Sequence, residues 1–241
     1  MTRALEAVGW SFAGSLGRND DVRHAGVDVD LVIVAVPDHS IATVAEQIGS
    51  CDAVIMHLAG SRPLSDLQPH TLVASLHPLV SLPDAETGAR RLLAGAVFAV
   101  AGAPLAAAIV EQLGGQAVRV EDDQRSLYHA TAAIASNHLV SLCAQVERLA
   151  DAVGIPPGAY WQLMSATLDN VIRLGPAAAL TGPAARSDWA TIAAHLAALP
   201  AEELELYEVL SRGAAELAGH PWQNAPSSPS DAAASNDEGR P

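Results

Sequence analysis

"DLVIVAVPDHSI", residues 30–41, decides the fold. A run of aliphatic residues stops at Pro37 and Asp38, and a pattern of helical period begins at once. Residues apolar on both faces mark a strand covered on both sides. The abrupt change of period marks that strand feeding a helix, the unit of a parallel sheet. The same alternation continues outward from this stretch. "AVIMHL" (53–58), "TLVASL" (71–76), "AVFAVA" (96–101) and "AVRV" (117–120) read as strands, with helices over 39–48 and 104–113 and a short one in "LSDL" (64–67). Upstream, residues 2–8 read as a helix closed by Gly9, "SFAGSL" (11–16) as a short strand, and 17–30 as a polar loop.

The pattern changes after residue 121. From Asp122 to Val153 there is neither proline nor glycine, and Leu127, Ile134, Leu142, Val146 and Leu149 recur at helical spacing as a stripe expected to be buried. A single helix of about 30 residues there would run roughly 45 Å. Further helices are expected over 159–174, 187–198 and 201–218, with no strand pattern among them. From His220 the chain is rich in Pro, Ser, Asn and Ala, the composition of a disordered tail. The fold class is therefore α/β. A Rossmann-like, mostly parallel sheet is expected in residues 1–121, an all-helical domain for substrate and dimerisation in 122–219, and a tail in 220–241.

Half of the 241 residues are hydrophobic and 17% are charged, enough for a real core. The formal net charge of -14 argues against nucleic acid or an anionic membrane surface as the main partner. Cys51 and Cys143 have no metal-like or redox-like spacing, and the nine histidines contain no H-E-x-x-H, so no metal site is expected. No apolar run reaches the roughly 18 residues of a membrane span, and the start lacks a signal-peptide layout, so the cytoplasm is the expected location.

Sheets of this kind usually open with a strand and a G-x-G-x-x-G turn, whose amides and following helix N-terminus bind a pyrophosphate. No such turn precedes residue 30. "TRALEAVGW" reads as the second half of the helix that follows such a turn, and "SFAGSLGRND" as the second strand, ending at Gly17, Arg18 and Asn19. The first strand and glycine turn, together roughly 15 residues, are expected to be missing. Either the chain starts at an internal methionine of a longer protein, or it is a truncated or degenerate relative without the phosphate site. The missing strand is central, so its absence is expected to leave two strand edges open.

Five segments together carry a resemblance: "DLVIVAVPDHSI", "HLAGS" (57–61), "LHPLVS" (76–81), "LYHATAAIASNHLVSL" (127–142) and "LTGPAARSDWATIAAHL" (180–196). Over about residues 2–218 the chain resembles the bacterial family of Rossmann-like proteins that carry a C-terminal helical domain of unknown function (domain of unknown function 2520). That family is similar in turn to pyrroline-5-carboxylate reductase, ketopantoate reductase and prephenate dehydrogenase. The resemblance implies an NAD(P)-dependent oxidoreductase-like protein, commonly dimeric through its helical domain, and supplies no substrate. The chain departs from its relatives in the missing glycine turn. It departs again at Ala133, which stands where many related dehydrogenases have a lysine four residues before an asparagine, here Asn137.

Candidate site residues follow from position. In a doubly wound sheet the ligand lies beyond the carboxyl ends of the strands. Val36, Pro37 and Asp38 sit at one such end and are expected to pass close to a ribose or nicotinamide; the plain alternative is a strand-to-helix turn capped by Asp38. Arg18 follows the expected second strand, where a guanidinium favours the 2′-phosphate of NADP over NAD, although NAD stays possible. Gly60 allows close backbone approach and Ser61 offers a hydroxyl to the cofactor, with His57 assigned to substrate. His77 and Pro78 end the next strand, and "HP" here looks like a short motif of prephenate dehydrogenases, which gives His77 a catalytic part in proton transfer. On the long helix, His129 and Ser136 lie seven residues apart on one face, about 10 Å from each other, with Asn137 at its flank. The alternative is a small-residue packing seam. In the loop before the helix at 187, Thr181, Arg186 and Asp188 are candidates for a carboxylate-bearing substrate, with Arg186 as the bidentate anchor; the alternative is a capped helix start. His77 and His129 are expected to face one pocket, with room for a small acid between them.

Three functions remain open on sequence: a reductase moving hydride between NADP and a small carboxylated carbonyl or imine metabolite, a non-catalytic dinucleotide-binding regulator, and a helical homodimer with a vestigial nucleotide domain.

Overall fold

The computed structural model describes residues 1–222. The chain divides into two compact units, Met1–Val140 and a second that begins at Ser141. The first unit is built on a five-stranded sheet. Its strands are β1 (Leu31–Val34), β2 (Val54–His57), β3 (Val73–Pro78), β4 (Val97–Gly102) and β5 (Gln116–Arg119), and they lie in sequence order. All neighbours are parallel except β3 and β4. The expected Rossmann-like, mostly parallel sheet is what the chain forms.

Each face of the sheet is covered because side chains alternate along a strand. Met56, Ala74, Leu76, Phe98 and Val100 pack one way, against Ala4 and Leu5 of α1 (Thr2–Ala7) and Ala106, Ile109 and Val110 of α4 (Leu105–Gln112). Val34 and Ile55 pack the other way, with Leu67, against Ile41 and Ala45 of α2 (Ile41–Gln47). Three parallel strands end side by side: β1 runs out through Pro37 and Asp38, β2 through Gly60 and Ser61, and β3 at His77 and Pro78.

Three expectations in this unit need correction. Residues 11–16 form no strand, and Phe12 and Leu16 are about half exposed. Their composition permits a strand, but a strand needs a partner edge, and none is supplied beside them. Second, α3 (Ala85–Leu92) was not expected from sequence. Its Gly88 and three charged residues hide the apolar period, and the readable signal was Asp84, whose carboxylate caps the amides of Glu86 and Thr87. Third, the first unit runs on past residue 121 to Val140, because the start of the long helix packs onto the strand ends.

That long helix is not uniform. It comprises α5 (Arg125–Ala133), a π-helical segment Ile134–His138, and α6 (Leu139–Ala152). The expected buried stripe is not formed: Leu127 is 75% and Ile134 58% exposed, and Leu142, Val146 and Leu149 are only half buried.

The second unit is helical, as expected. It contains α7 (Pro157–Leu174), α8 (Pro176–Ala179), α9 (Trp189–Ala198) and α10 (Ala201–Leu217). Ile192 and Leu196 of α9 pack with Ala215 of α10 and with Ala184. Arg148 pairs with the buried Glu203 carboxylate at 2.5 Å, and Gln145 donates to the Glu203 carbonyl. Of the expected tail, residues 220–222 are described. Trp222 stands edge-on to Trp189, 6.0 Å between ring centroids, with the Arg212 guanidinium over its ring. The rest of the tail lies outside the described residues. Among the described residues no helix is long and apolar enough to cross a membrane.

Candidate active site

The site is built where β1, β2 and β3 end. Parallel pairing aligns Val34 with His57 and His57 with Ser75. The residues just beyond each strand therefore emerge close together. The Ser61 hydroxyl donates to the Asp38 carboxylate at 3.2 Å, tying the β2 exit to the β1 exit. Asp38 does not cap the helix after it, so its carboxylate is committed to this link rather than to the backbone.

His77 stands at the third exit. Its Nδ1 lies 2.7 Å from the Tyr128 hydroxyl, and its ring meets that of His129 edge-on, with centroids 5.7 Å apart and planes at 77°. Both rings come up against Gly60. A Cβ placed on Gly60 would lie 2.6 Å from His129 Nδ1, closer than a carbon can approach it, and a tight 3.0 Å from His77 Nε2. A side chain there would have to push the exposed His129 ring aside, so glycine is what lets both imidazoles stand where they do. Tyr128 and His129 are adjacent on α5, so one helical turn delivers both groups.

Burial lowers the His77 pKa below its usual value, and the neighbouring His129 lowers it further, while Asp38 opposes both. Burial raises the Tyr128 pKa, so its hydroxyl keeps its proton. A protonated phenol beside a neutral imidazole can donate to Nδ1 and leave the ring proton on Nε2. Beside His77 a cavity of about 250 Å³ opens, lined by Leu58, Pro78, Val80, Leu82 and Leu92 together with Met1. It is apolar except for the imidazole.

Beneath this layer lies a polar network that sequence reasoning missed. Arg125, the first residue of α5, is 2% exposed. Its Nη2 donates to the buried Ser75 hydroxyl, and its Nε donates to Asp122 at 2.7 Å. Asp122 also accepts the Leu64 amide at 3.1 Å. His57 is wholly buried, and neither ring nitrogen has a hydrogen-bond partner. Burial and the nearby Arg125 charge pull its pKa down to about 4. The available signal was spacing: Arg125 precedes Tyr128 and His129 by three and four residues, and so shares their helix face.

The sequence candidates thus fall into groups. His77, His129, Gly60, Ser61 and Asp38 come together, with Val36 half-buried and Pro37 exposed at the β1 exit. Arg18 is exposed in the 17–20 loop. His57 lies wholly buried beneath the cluster, with no exposed surface in this structure. Ser136 lies further along, in the π-helical segment. Its hydroxyl bonds the Ala132 carbonyl at 2.7 Å and the Asn137 side chain at 2.8 Å, so both polar groups are engaged locally. The same-face argument assumed an unbroken α-helix, and the wider π turn begins between His129 and Ser136. The imidazoles of His77 and His129 stand too close to hold a small acid between them. In the second unit, Asp188 caps α9 by accepting from the amide and hydroxyl of Thr191, while Thr181 and Arg186 are exposed.

Residues 97–214 match the family described as "Domain of unknown function (DUF2520)". The match begins in β4, so it takes in the last two strands as well as the helices. No curated protein matches the chain in sequence. Among solved structures, protein TM1727 from Thermotoga maritima is similar over 79% of each chain, with 27% identity and a TM-score of 0.68. BF3122 from Bacteroides fragilis, provisionally designated an NADP oxidoreductase, is similar over 78% of this chain and 75% of its own, at 24% identity and a TM-score of 0.65. Pyrroline carboxylate reductase from Plasmodium falciparum, solved with NADP bound, is similar over 90% and 92% at 7% identity and a TM-score of 0.57. The last two likenesses concern the fold. The chain therefore has a Rossmann-like fold, and its residues 97–214 are similar to the DUF2520 family.

Proposed function

We propose that the protein is an NADP-linked oxidoreductase acting on a small, carboxylate-bearing carbonyl or imine compound. The observation that carries this reading is the convergence of His77, Tyr128 and His129 on the Gly60 backbone, beyond the carboxyl ends of parallel strands. Ligands of open α/β sheets bind in that crevice. Imidazoles are suited to the proton that accompanies hydride transfer near neutral pH. The NADP held by the Plasmodium falciparum reductase and the designation of the Bacteroides fragilis protein support the cofactor class.

The residues fit the nicotinamide end of such a cofactor. Pro37 has no amide to leave unpaired, Gly60 has no side chain, Ser61 is held by Asp38, and the cavity beside His77 has room for a flat ring. Among the described residues no glycine-rich turn joins a strand to a helix, so the pyrophosphate has no cradle there. Exposed Arg18 is the group available to a 2′-phosphate. When bound, the cofactor gives or takes the hydride. The chain's own residues handle the proton. Tyr128 donates to His77 Nδ1 and orients that ring. His129, exposed at its outer edge, exchanges a proton with the substrate oxygen or nitrogen.

The test is NADPH oxidation against small keto acids and cyclic imino acids. His129→Ala should lower turnover about 100-fold or more, with little change in unfolding midpoint. An equal loss of stability and activity would refute its catalytic part. A chain with a strand and glycine turn grafted ahead of Thr2 should bind NADP more tightly, and Arg18→Ala in that chain should weaken NADP more than NAD. Binding without turnover on any compound would favour the regulator reading.

The second unit supports a homodimer. No residue of the 18-residue α7 is buried, and it exposes Leu163, Leu168 and Ile172 by 63%, 51% and 76%. A helix of that composition is stable in water only when its apolar side is covered, and a second copy is the occupant we propose. Ile172→Asp should yield a monomer in light scattering. The free, half-buried Cys51 and Cys143 suit a reducing cytoplasm.

A further inference from the structure

We infer that Arg125 is the positioning residue of this site: its guanidinium, fixed between Ser75 and Asp122, sets the rotation and height of the helix that presents Tyr128 and His129 to His77. The inference rests on the oxidoreductase reading for its purpose, but on the geometry for its content.

Arg125 is placed against two physical tendencies. A cation in the first turn of a helix opposes the helix dipole, which favours anions there. A buried guanidinium also loses its hydration, a cost that only close partners offset. A sequence needing only a helix start would place an acidic or small polar residue at this position and leave arginine outside. Here the side chain is instead among the largest wholly buried ones. The violation of a local rule is the kind found where function sets the requirement.

The geometry shows what is gained. Ser75 and His77 lie two apart on β3, so their side chains leave the same face of the sheet. Arg125 and Tyr128 lie three apart on α5, so they too share a face. Helix and strand are therefore joined at two points in register, Arg125 to Ser75 and Tyr128 to His77. One contact alone would leave the helix free to roll about it. Two contacts fix the roll, and with it the direction of His129, the next residue. Asp122 completes the anchor. It takes the second donor of the guanidinium and the Leu64 amide, fastening the helix start to the segment that follows Ser61. The planar fork of arginine satisfies both partners at once, which a lysine ammonium on a flexible stem does not reproduce.

The experiment reads the His77 ring by ¹⁵N-detected imidazole NMR on the full chain, a signature that a merely structural arginine would leave alone. The wild type should show one neutral tautomer, protonated on Nε2 with Nδ1 accepting from Tyr128. Arg125→Lys keeps the charge and loses the fork, and should give a mixture of tautomers. Ser75→Ala should do the same, and Ser75→Thr, which retains the hydroxyl, should keep the wild-type signature. In any active preparation Arg125→Lys should lower kcat about 10-fold or more with KM little changed. A single Nε2-protonated tautomer persisting in Arg125→Lys or Ser75→Ala overturns the proposal, as does a wild type with no preferred tautomer. Should Arg125→Lys fail to fold, Ser75→Ala alone decides. The NMR readout needs no turnover, so failure of the oxidoreductase reading would appear separately, as the absence of NADPH oxidation with the tautomer pattern intact.

Discussion

Acid should weaken this protein through His57 before most of its carboxylates titrate. The imidazole is wholly buried and has no hydrogen-bond partner. Burial, then the Arg125 charge, hold its pKa at about 4 against an ordinary 6.5, with Asp66, the Pro63 carbonyl and Asp122 pulling weakly the other way. The folded state therefore binds this proton less readily than the unfolded chain. Stability from the neutral ring is complete above pH 6.5 and is lost as pH falls towards 4. Because the side chain has no exposed surface, no discount for solvent screening applies, and the full loss is about 3 kcal/mol. With a slope of about 2 kcal/mol per molar urea, the midpoint should fall by roughly 1.5 M across that interval. The assay is urea unfolding of the wild type and His57→Phe at matched pH values. Carboxylates titrate in both proteins and cancel in the comparison. Phenylalanine also removes the orphaned nitrogens, so the variant should hold its midpoint far better in acid. If the two proteins lose equal stability between neutral pH and pH 4, then His57 is hydrated or paired in solution and the reasoning is wrong.

Other outcomes follow from the layer above. Gly60→Ala should displace His129, since the added carbon would meet its Nδ1 at 2.6 Å; turnover should fall about 10-fold or more, and an unchanged rate would mean that His129 has another working position. Asp38→Asn removes the one nearby charge that holds the His77 pKa up, so the His77 titration followed by NMR should move to lower pH, and a move upward would show that Asp38 does not face the ring. Asn137→Ala should change turnover by less than about threefold, because its side chain is exposed and bonded to Ser136, whereas His129→Ala removes a group at the centre of the cluster.

Much of the sheet was legible because its strands are apolar on both faces and are punctuated by Pro, Gly and polar residues. The Val34–Pro37–Asp38 junction states a strand end and a helix start within a few residues. Pairing is less legible, because it depends on a partner distant in sequence. "SFAGSL" has the composition of a strand and forms none, and nothing within those residues reveals the difference. In α3 the capping Asp84 was a better signal than the period, which Gly88 and the arginines obscure. His77 and Gly60 could be singled out because ligands of such sheets bind beyond the strand ends, and His129 because it lies early on the helix that follows the last strand. Arg125 could not, because arginine at a helix start is ordinarily solvated. Its burial is a fact about Ser75 and Asp122, one of them 50 residues away. Tyr128 stood beside His129 in plain view, yet a tyrosine on a helix is more often packing than chemistry, and only its distance to His77 gives it a role.

The departure at Ala133 acquires a physical meaning in this setting. A lysine at 133 would sit four residues before Asn137, an arrangement in which both side chains of an α-helix share a face. Here the residue is alanine, the next turn is π-helical, and Asn137 is occupied by Ser136. That pairing is therefore gone in side chain and in helical geometry. One turn earlier, where the helix is regular, the chain concentrates Tyr128 and His129 against His77 and invests a buried arginine in holding them. Burying a guanidinium against the helix dipole is costly, and so is crowding one backbone position with two imidazoles. These two costs fall on the same few residues. In the proposed oxidoreductase reading, the proton chemistry falls to residues 128 and 129 rather than to 133 and 137.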